Sequence, residues 1–453
     1  MMRAAVPAAL ALVVLAGCTG APPASTSSTA TGSSPSASGS GAAADAGLVS
    51  TRLQVPAALA DAPFDRAREV RAPQGWSVAL WARVPGARLA AWTPDGKLLV
   101  SRPGAGDVVL VSAGAQPRPV VQGLTQPHGL AFDGSTLYVA ESDKITAYGY
   151  RAGELSGRRV VVSGLPDAKS PELGGRYAHA LKSIAVGRDG WLYFSVGSTG
   201  NVSEQDRDAD PQRAAILRVR PDGGRPEVYA RGVRNGTGLA VDPTGAVWTA
   251  VNNRDNIAYP FDRDYDGNGS ADRGEVLQAY VNDHPMELLA RLTPGRDLGW
   301  PYCNPDPDAS PGAPDSALTY TKRPYVRDVQ TNADGAKLDC AALPPVEQGL
   351  GAHSAPLGLT FVDVPSLPAA YRQGALVGVH GSWNRRPPRP PEVSFFPWRN
   401  GTLGAQRTLL AGFQLDDGSR WGRPVMALPG PDGALYVTDD AAGAVYRMAP
   451  PAG

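Results

Sequence analysis

Imidazole and guanidinium side chains recur at one place in a repeating pattern, and their types suit proton transfer beside a bound anion. His128, His179 and His353 each stand a few residues before a short apolar segment that opens on a small residue. Arg234-Asn235 and Arg423 precede two more such segments, and His380 follows the end of one. Imidazole takes or gives a proton near neutrality. Arginine offers a fork of donors matched to carboxylates. The chain has no G-x-S-x-G elbow and no glycine-rich dinucleotide fingerprint after a strand, so neither serine acyl transfer nor nicotinamide chemistry is indicated. Several arginines, a histidine base and no nucleophile together point to a polyanionic cofactor.

Something must bring these positions together. Six segments repeat one plan of small or apolar residues, a polar Gly-containing turn and an apolar run: Leu89–Val100, Gly129–Ala140, Ser183–Val196, Gly238–Val251, Gly358–Val379 and Val425–Thr438. Each reads as two strands and a turn. Such a hairpin cannot bury its faces alone, so six copies predict an all-β, six-bladed β-propeller. The segments flanking the strands then converge on one axial mouth. Trp76–Arg83 and Ala444–Met448 alternate like outer strands, and the first is expected to close the last blade and remove an exposed edge. Repeats four and five lie farther apart than a blade's outer strands need, so the stretch Asn252–Gly349 is expected to hold a long loop insertion rich in Asp, Pro and Gly.

A separate signal lies in that insertion. Asp264, Asp266, Asn268, Gly269, Ser270, Asp272 and Glu275 fit the D-x-[DN]-x-[DN]-G-x5-E spacing of a calcium loop. Hard oxygen donors at these offsets wrap one Ca²⁺, with Gly269 making the turn and Glu275 the bidentate ligand. No amphipathic helices flank the loop, so it is EF-hand-like and not an EF-hand pair.

The 43 basic and 43 acidic residues cancel, which argues against attraction to nucleic acid. At the N-terminus Arg3, an apolar run and Leu15-Ala16-Gly17-Cys18 read as a bacterial lipoprotein signal. Residues 1–17 are expected to be removed and Cys18 lipidated, anchoring an exported protein to a membrane. Residues 18–62 are then a Ser/Ala/Gly/Pro-rich tether, and 63–453 the propeller. With Cys18 lipidated, Cys303 and Cys340 are left to form a disulfide in an oxidising compartment.

The segments His179-Ala-Leu-Lys182, Val196-Gly-Ser-Thr-Gly-Asn201, Gly232-Val-Arg234-Asn235, Leu298-Gly-Trp300-Pro-Tyr-Cys303, His380-Gly-Ser-Trp383-Asn384-Arg385 and Gly422-Arg423-Pro resemble the soluble quinoprotein sugar dehydrogenases, especially the L-sorbosone and pyranose dehydrogenase branch. The resemblance implies a propeller that binds pyrroloquinoline quinone (PQQ), which carries three carboxylates and an ortho-quinone. It implies Arg102, Arg234 and Arg423 on those carboxylates, Asn235 and His380 on cofactor oxygens, and Trp383 against the planar ring. His179 matches the general base that takes the proton of a sugar hydroxyl, yielding a lactone. The partners implied are a sugar and an electron acceptor. Related proteins hold Ca²⁺ against PQQ, and Asn253 is the matching position. Where related proteins support the base with Asp, this chain has Ser198.

Two other readings stay open on the residues alone. A metal-dependent lactonase propeller requires a convergent Glu/Asp/Asn metal cage at the axis. A catalytically silent propeller binds carbohydrate or protein.

Overall fold

Glycine at the head of a repeat is a steric requirement. A Cβ on Gly129 would lie 2.7 Å from the Ile184 backbone nitrogen, one on Gly238 2.8 Å from the Leu359 side chain, and one on Gly358 2.5 Å from that of Met426. Each neighbour belongs to the next repeat along the chain. The glycines therefore let the innermost strands crowd together around an axis.

The structure is a computed structural model and describes residues 47–451. Each repeat forms the inner two strands of one of six blades. Blade one runs Ala90–Trp92, Leu98–Arg102, Asp107–Val111 and Arg118–Gln122; blade two runs Gly129–Asp133, Thr136–Ala140, Ile145–Arg151 and Glu154–Val162. Blade three runs Ile184–Val186, Leu192–Val196, Ala215–Arg220 and Gly223–Arg231. Blade four contains Gly238–Val241, Val247–Val251, Glu287–Arg291 and Val346–Leu350. Blade five is built on Pro356–Asp363, Gln373–Val379 and Glu392–Arg399, and blade six on Pro424–Pro429, Leu435–Asp439 and Ala444–Ala449. The N-terminal strand Ser77–Arg83 pairs antiparallel with Ala444–Ala449 and completes blade six, the closure expected of it.

Hydrogen bonds link each blade to the next around the axis. Ser101 Oγ donates to the His128 carbonyl, Ser183 Oγ to that of Thr237, Thr237 Oγ1 to that of Pro356, and Thr438 Oγ1 to that of Arg88. Gly129 N–H donates to the Lys182 carbonyl and Arg423 Nε to that of His380. The ring positions the residues just before each inner strand, where the chemistry-bearing side chains lie. Farther out, Tyr436 stands edge-on to Trp81 and Trp92 with centroids 5.0 and 4.9 Å away, sealing blade six to blade one.

One expectation needs correction. The tether does not reach residue 62. Leu48–Arg52 pairs with Glu69–Pro73, and Leu53, Leu59 and Phe64 are buried in the core, so apolar burial orders the chain from its first described residues. The signal and Cys18 lie outside the described residues. The long insertion expected between repeats four and five is present. The third and fourth strands of blade four fall inside it, which divides it into two excursions, 252–286 and 292–345. The second carries the ribbon of Cys303–Pro305 and Tyr325–Arg327 and the disulfide between Cys303 and Cys340.

Candidate active site

At the axial mouth the segments before the inner strands enclose a cavity of about 250 Å³. His179, Arg234, His353, His380, Trp383 and Arg423 all line it, joined by Arg88, Asn252 and Asp255. The structure thus brings together residues from blades one and three to six that are up to 335 positions apart (423 minus 88).

His179 is an oriented, neutral imidazole. Its Nδ1 lies 2.9 Å from Ser198 Oγ and 3.1 Å from the Ser198 carbonyl. The hydroxyl donates to the Gly200 carbonyl at 2.7 Å, so it accepts from Nδ1–H. That leaves Nε2 as the ring's lone-pair acceptor. Burial, with the Arg234 charge adding to it, lowers the His179 pKa to about 3. The ring is therefore unprotonated at neutral pH.

The arginines differ in what they have left to offer. Arg234 spends Nε on the Asn201 carbonyl, Nη1 on the carbonyls of Asn252 and Asn253, and one Nη2 hydrogen on Asn201 Oδ1. Asp255 stands 3.6 Å from its last donor. Arg234 is thus chiefly a strut. Arg423 commits only Nε, to the His380 carbonyl, so its paired Nη1 and Nη2 groups meet no acceptor among the described residues. Arg88 donates Nη1 to Asp440 at 2.7 Å, and its buried Nε has no partner.

Asp440 also accepts from His380 Nε2 at 2.8 Å, completing an Arg88–Asp440–His380 chain whose two ends line the cavity. Burial pushes the Asp440 pKa up, but the His380 hydrogen bond and the His380 and Arg88 charges outweigh it and hold it at about 2. Burial lowers the pKa of His380 against the pull of Asp440. Trp383 lies at the rim with 73% of its surface exposed, an open flat face.

Other expected site residues lie elsewhere. Arg102 makes a bidentate ion pair with Asp107 of its own blade, at 2.8 and 2.5 Å, and does not line the cavity. His128 is fully buried, with Nδ1 on the Lys182 carbonyl. Asn235 is behind the wall, its carbonyl accepting from the N–H groups of Thr237 and Asn252. The Asn253 carbonyl faces the Arg234 guanidinium, a poor place for Ca²⁺ because a cation already occupies it.

Arg88 and Asp255 were not found from sequence. Arg88 had a signal, since it directly precedes the first repeat as Arg423 nearly precedes the last. Asp255 had none, because it sits in a Gly/Asp-rich stretch among many acids.

In the calcium-type loop, the carboxylates of Asp264, Asp266 and Asp272 offer oxygens within 4.8 Å of one another. Asp264 Oδ1 accepts from Gly267 N–H, and Oδ2 from Gly269 N–H, whose φ of +90° suits glycine. Asn268 Oδ1 turns back onto Ser270 N–H. Asp272 Oδ1 is buried without a partner. Glu275 departs from the expected ligand set. Tyr259 pins its backbone, and its exposed side chain is outside the cluster. Among the described residues, the His, Asp and Glu clusters able to hold a metal lie in the insertion.

A family model described as TrAA12-like matches residues 70–450. The chain is 26% identical over 423 residues to a pyrroloquinoline quinone-dependent pyranose dehydrogenase of Coprinopsis cinerea, covering 75% of this chain and 55% of that protein. The chain thus spans about half that relative's length. Among solved structures, the holo PQQ domain of pyranose dehydrogenase from C. cinerea superposes with a TM-score of 0.67 at 20% identity, covering 84% of this chain and 96% of that one. A Trichoderma reesei carbohydrate-active enzyme of family AA12 gives 0.66 at 20% identity, covering 83% and 96%. These likenesses establish the propeller fold.

Proposed function

This chain belongs to the TrAA12-like family, and from that premise we propose that it is a quinoprotein that oxidises sugars with PQQ. The observation that carries the proposal is the meeting of an oriented His179 with the uncommitted guanidinium of Arg423 in one cavity. The donor set fits the cofactor. Arg423 Nη1 and Nη2 and the orphaned Arg88 Nε suit carboxylates, and Trp383 suits a planar ring.

When bound, the quinone supplies the two-electron oxidant. His179 Nε2 takes the proton of the sugar's anomeric hydroxyl as the carbon is oxidised, which makes the product a lactone. Ser198 holds the tautomer that keeps Nε2 free. Arg234 fixes the carbonyls of Asn201, Asn252 and Asn253 and so shapes the wall. A bound anion beside Arg234 would offset its charge and so raise the basicity of His179. A separate electron acceptor would be needed to take the two electrons onward.

Ca²⁺ is assigned to the Asp264–Asp272 loop, supported by its three clustered carboxylates and the orphaned Asp272 Oδ1. The Cys18 signal supports export and anchoring by lipid. Changing Cys18 to Ser should abolish partition into detergent.

The test is direct. Purified apoprotein with PQQ and Ca²⁺ should give a saturable absorbance change and dye reduction with at least one member of an aldose panel. A folded protein that takes up no PQQ refutes the proposal and leaves a propeller that only binds.

A further inference from the structure

The insertion also holds a buried histidine between two aspartates, none of which lines the axial cavity or belongs to the calcium-type loop. His284 Nε2 lies 3.2 Å from Asp308 Oδ1 and 3.7 Å from Asp306 Oδ1, and all three residues are at most 2% exposed. Nε2 meets no hydrogen-bond partner in acceptable geometry, and Asp306 Oδ2 has no partner. Three other polar atoms of the cluster are committed. His284 Nδ1–H donates to the Tyr280 carbonyl at 3.0 Å, and the ring stacks on Tyr280 with centroids 3.9 Å apart. Asp306 Oδ1 accepts from Asp308 N–H at 3.0 Å, and Asp308 Oδ2 from Gly312 N–H at 3.2 Å. Arg323 donates to the carbonyls of Asp306 and Asp308, its cation facing the backbone and not the carboxylates.

We propose that His284, Asp306 and Asp308 form a binding site for a divalent transition-metal ion. A histidine whose Nδ1–H is held by a backbone carbonyl presents Nε2 as a ligand lone pair, the usual arrangement of a metal-bound imidazole. Here that lone pair faces two carboxylates, an arrangement that needs a positive charge between them. A single proton on Nε2 would serve one carboxylate and leave Asp306 Oδ2 unsatisfied. The three ligand atoms lie within 4.8 Å of one another, the span of donors about 2.0–2.4 Å from a common ion. Mixed imidazole and carboxylate donors suit Mn²⁺ or Zn²⁺, whereas Ca²⁺ takes oxygen ligands.

The site has a structural reach. Directly before His284, Asn282 and Asp283 accept from Arg385, two residues beyond Trp383 in the rim loop. The carbonyl of Val281 accepts from His353 Nε2 at 2.7 Å. An ion on His284 thus steadies the segment that holds two parts of the cavity wall.

The test uses the complete protein, stripped of metal, supplied with excess Ca²⁺ to fill the other loop, and loaded with one equivalent of Mn²⁺. Pulsed EPR should show ¹⁴N modulation from a single imidazole. His284→Gln should lose the modulation, and Asp308→Asn should weaken Mn²⁺ binding roughly tenfold or more. Absence of ¹⁴N modulation in the wild type overturns the proposal and leaves His284 as an imidazolium between carboxylates. Modulation that persists in His284→Gln overturns it by moving the ion to another histidine. If that variant does not fold, unchanged Mn²⁺ affinity in a folded Asp308→Asn overturns it equally.

Discussion

Ser198 Oγ accepts from His179 Nδ1 at 2.9 Å while donating to the Gly200 carbonyl at 2.7 Å. The hydroxyl fixes the imidazole tautomer but brings no negative charge to it. Burial and Arg234 therefore dominate, and His179 stays neutral down to a pKa of about 3. His179→Ala should retain PQQ binding and lose turnover by roughly 10²–10⁴, the usual worth of a positioned base. Ser198→Asp should raise the His179 pKa by placing an anion beside it. The acid limb of the kcat profile then moves to higher pH, because the base protonates sooner as pH falls. An unmoved limb would separate Ser198 from the base.

The arginines should give different phenotypes. Arg423→Ala removes an uncommitted fork and should weaken PQQ binding by roughly 10–150-fold, from about 1.5–3 kcal/mol for a charge-assisted hydrogen bond. Arg234→Ala removes the strut under Asn201, Asn252 and Asn253 and should also lower Tm. Isothermal titration and calorimetry on the same two variants distinguish the roles.

His128 should make the fold acid-sensitive. Burial, and then the Arg88 charge, lower its pKa from 6.5 to about 3. As pH falls below 6.5 the unfolded chain binds a proton that the folded chain refuses, so stability drops between about pH 6.5 and pH 3. A folded His128→Gln variant should lose about one proton from that slope, about 1.4 kcal/mol per pH unit. Urea titrations at pH 6, 5 and 4 provide the comparison.

Adding Ca²⁺ to metal-free protein should raise Tm, since a ligand of the native state alone stabilises it. Asp264→Asn should abolish that rise. Glu275→Ala should retain most of it, because Glu275 is outside the carboxylate cluster.

Cys340→Ser should destabilise the protein by roughly 4 kcal/mol in the chain-entropy model for a crosslink of this span, the two cysteines being 37 positions apart. Denaturant melts of the variant against the oxidised parent give the difference.

Sequence alone determined what depends on local pattern. Alternation and turn glycines defined six hairpins, and a lone alternating N-terminal segment marked the closing strand. Elimination among three cysteines paired Cys303 with Cys340. Position beside a repeat selected His179, Arg234, His353, His380 and Arg423, which line the cavity, as well as His128 and Asn235, which do not; resemblance added Trp383. Tertiary structure decided what depends on which charges meet. Arg88 reaches Asp440 across 352 residues, while Arg102 turns aside to Asp107 only five away. Both are arginines on blade one, and a one-dimensional pattern does not say which will find an acid close by. The same holds for His284, whose aspartates lie 22 and 24 positions onward (306 and 308 minus 284). Strand pairing sets side-chain direction over a few residues, but only packing brings buried polar ends from separate excursions into one place.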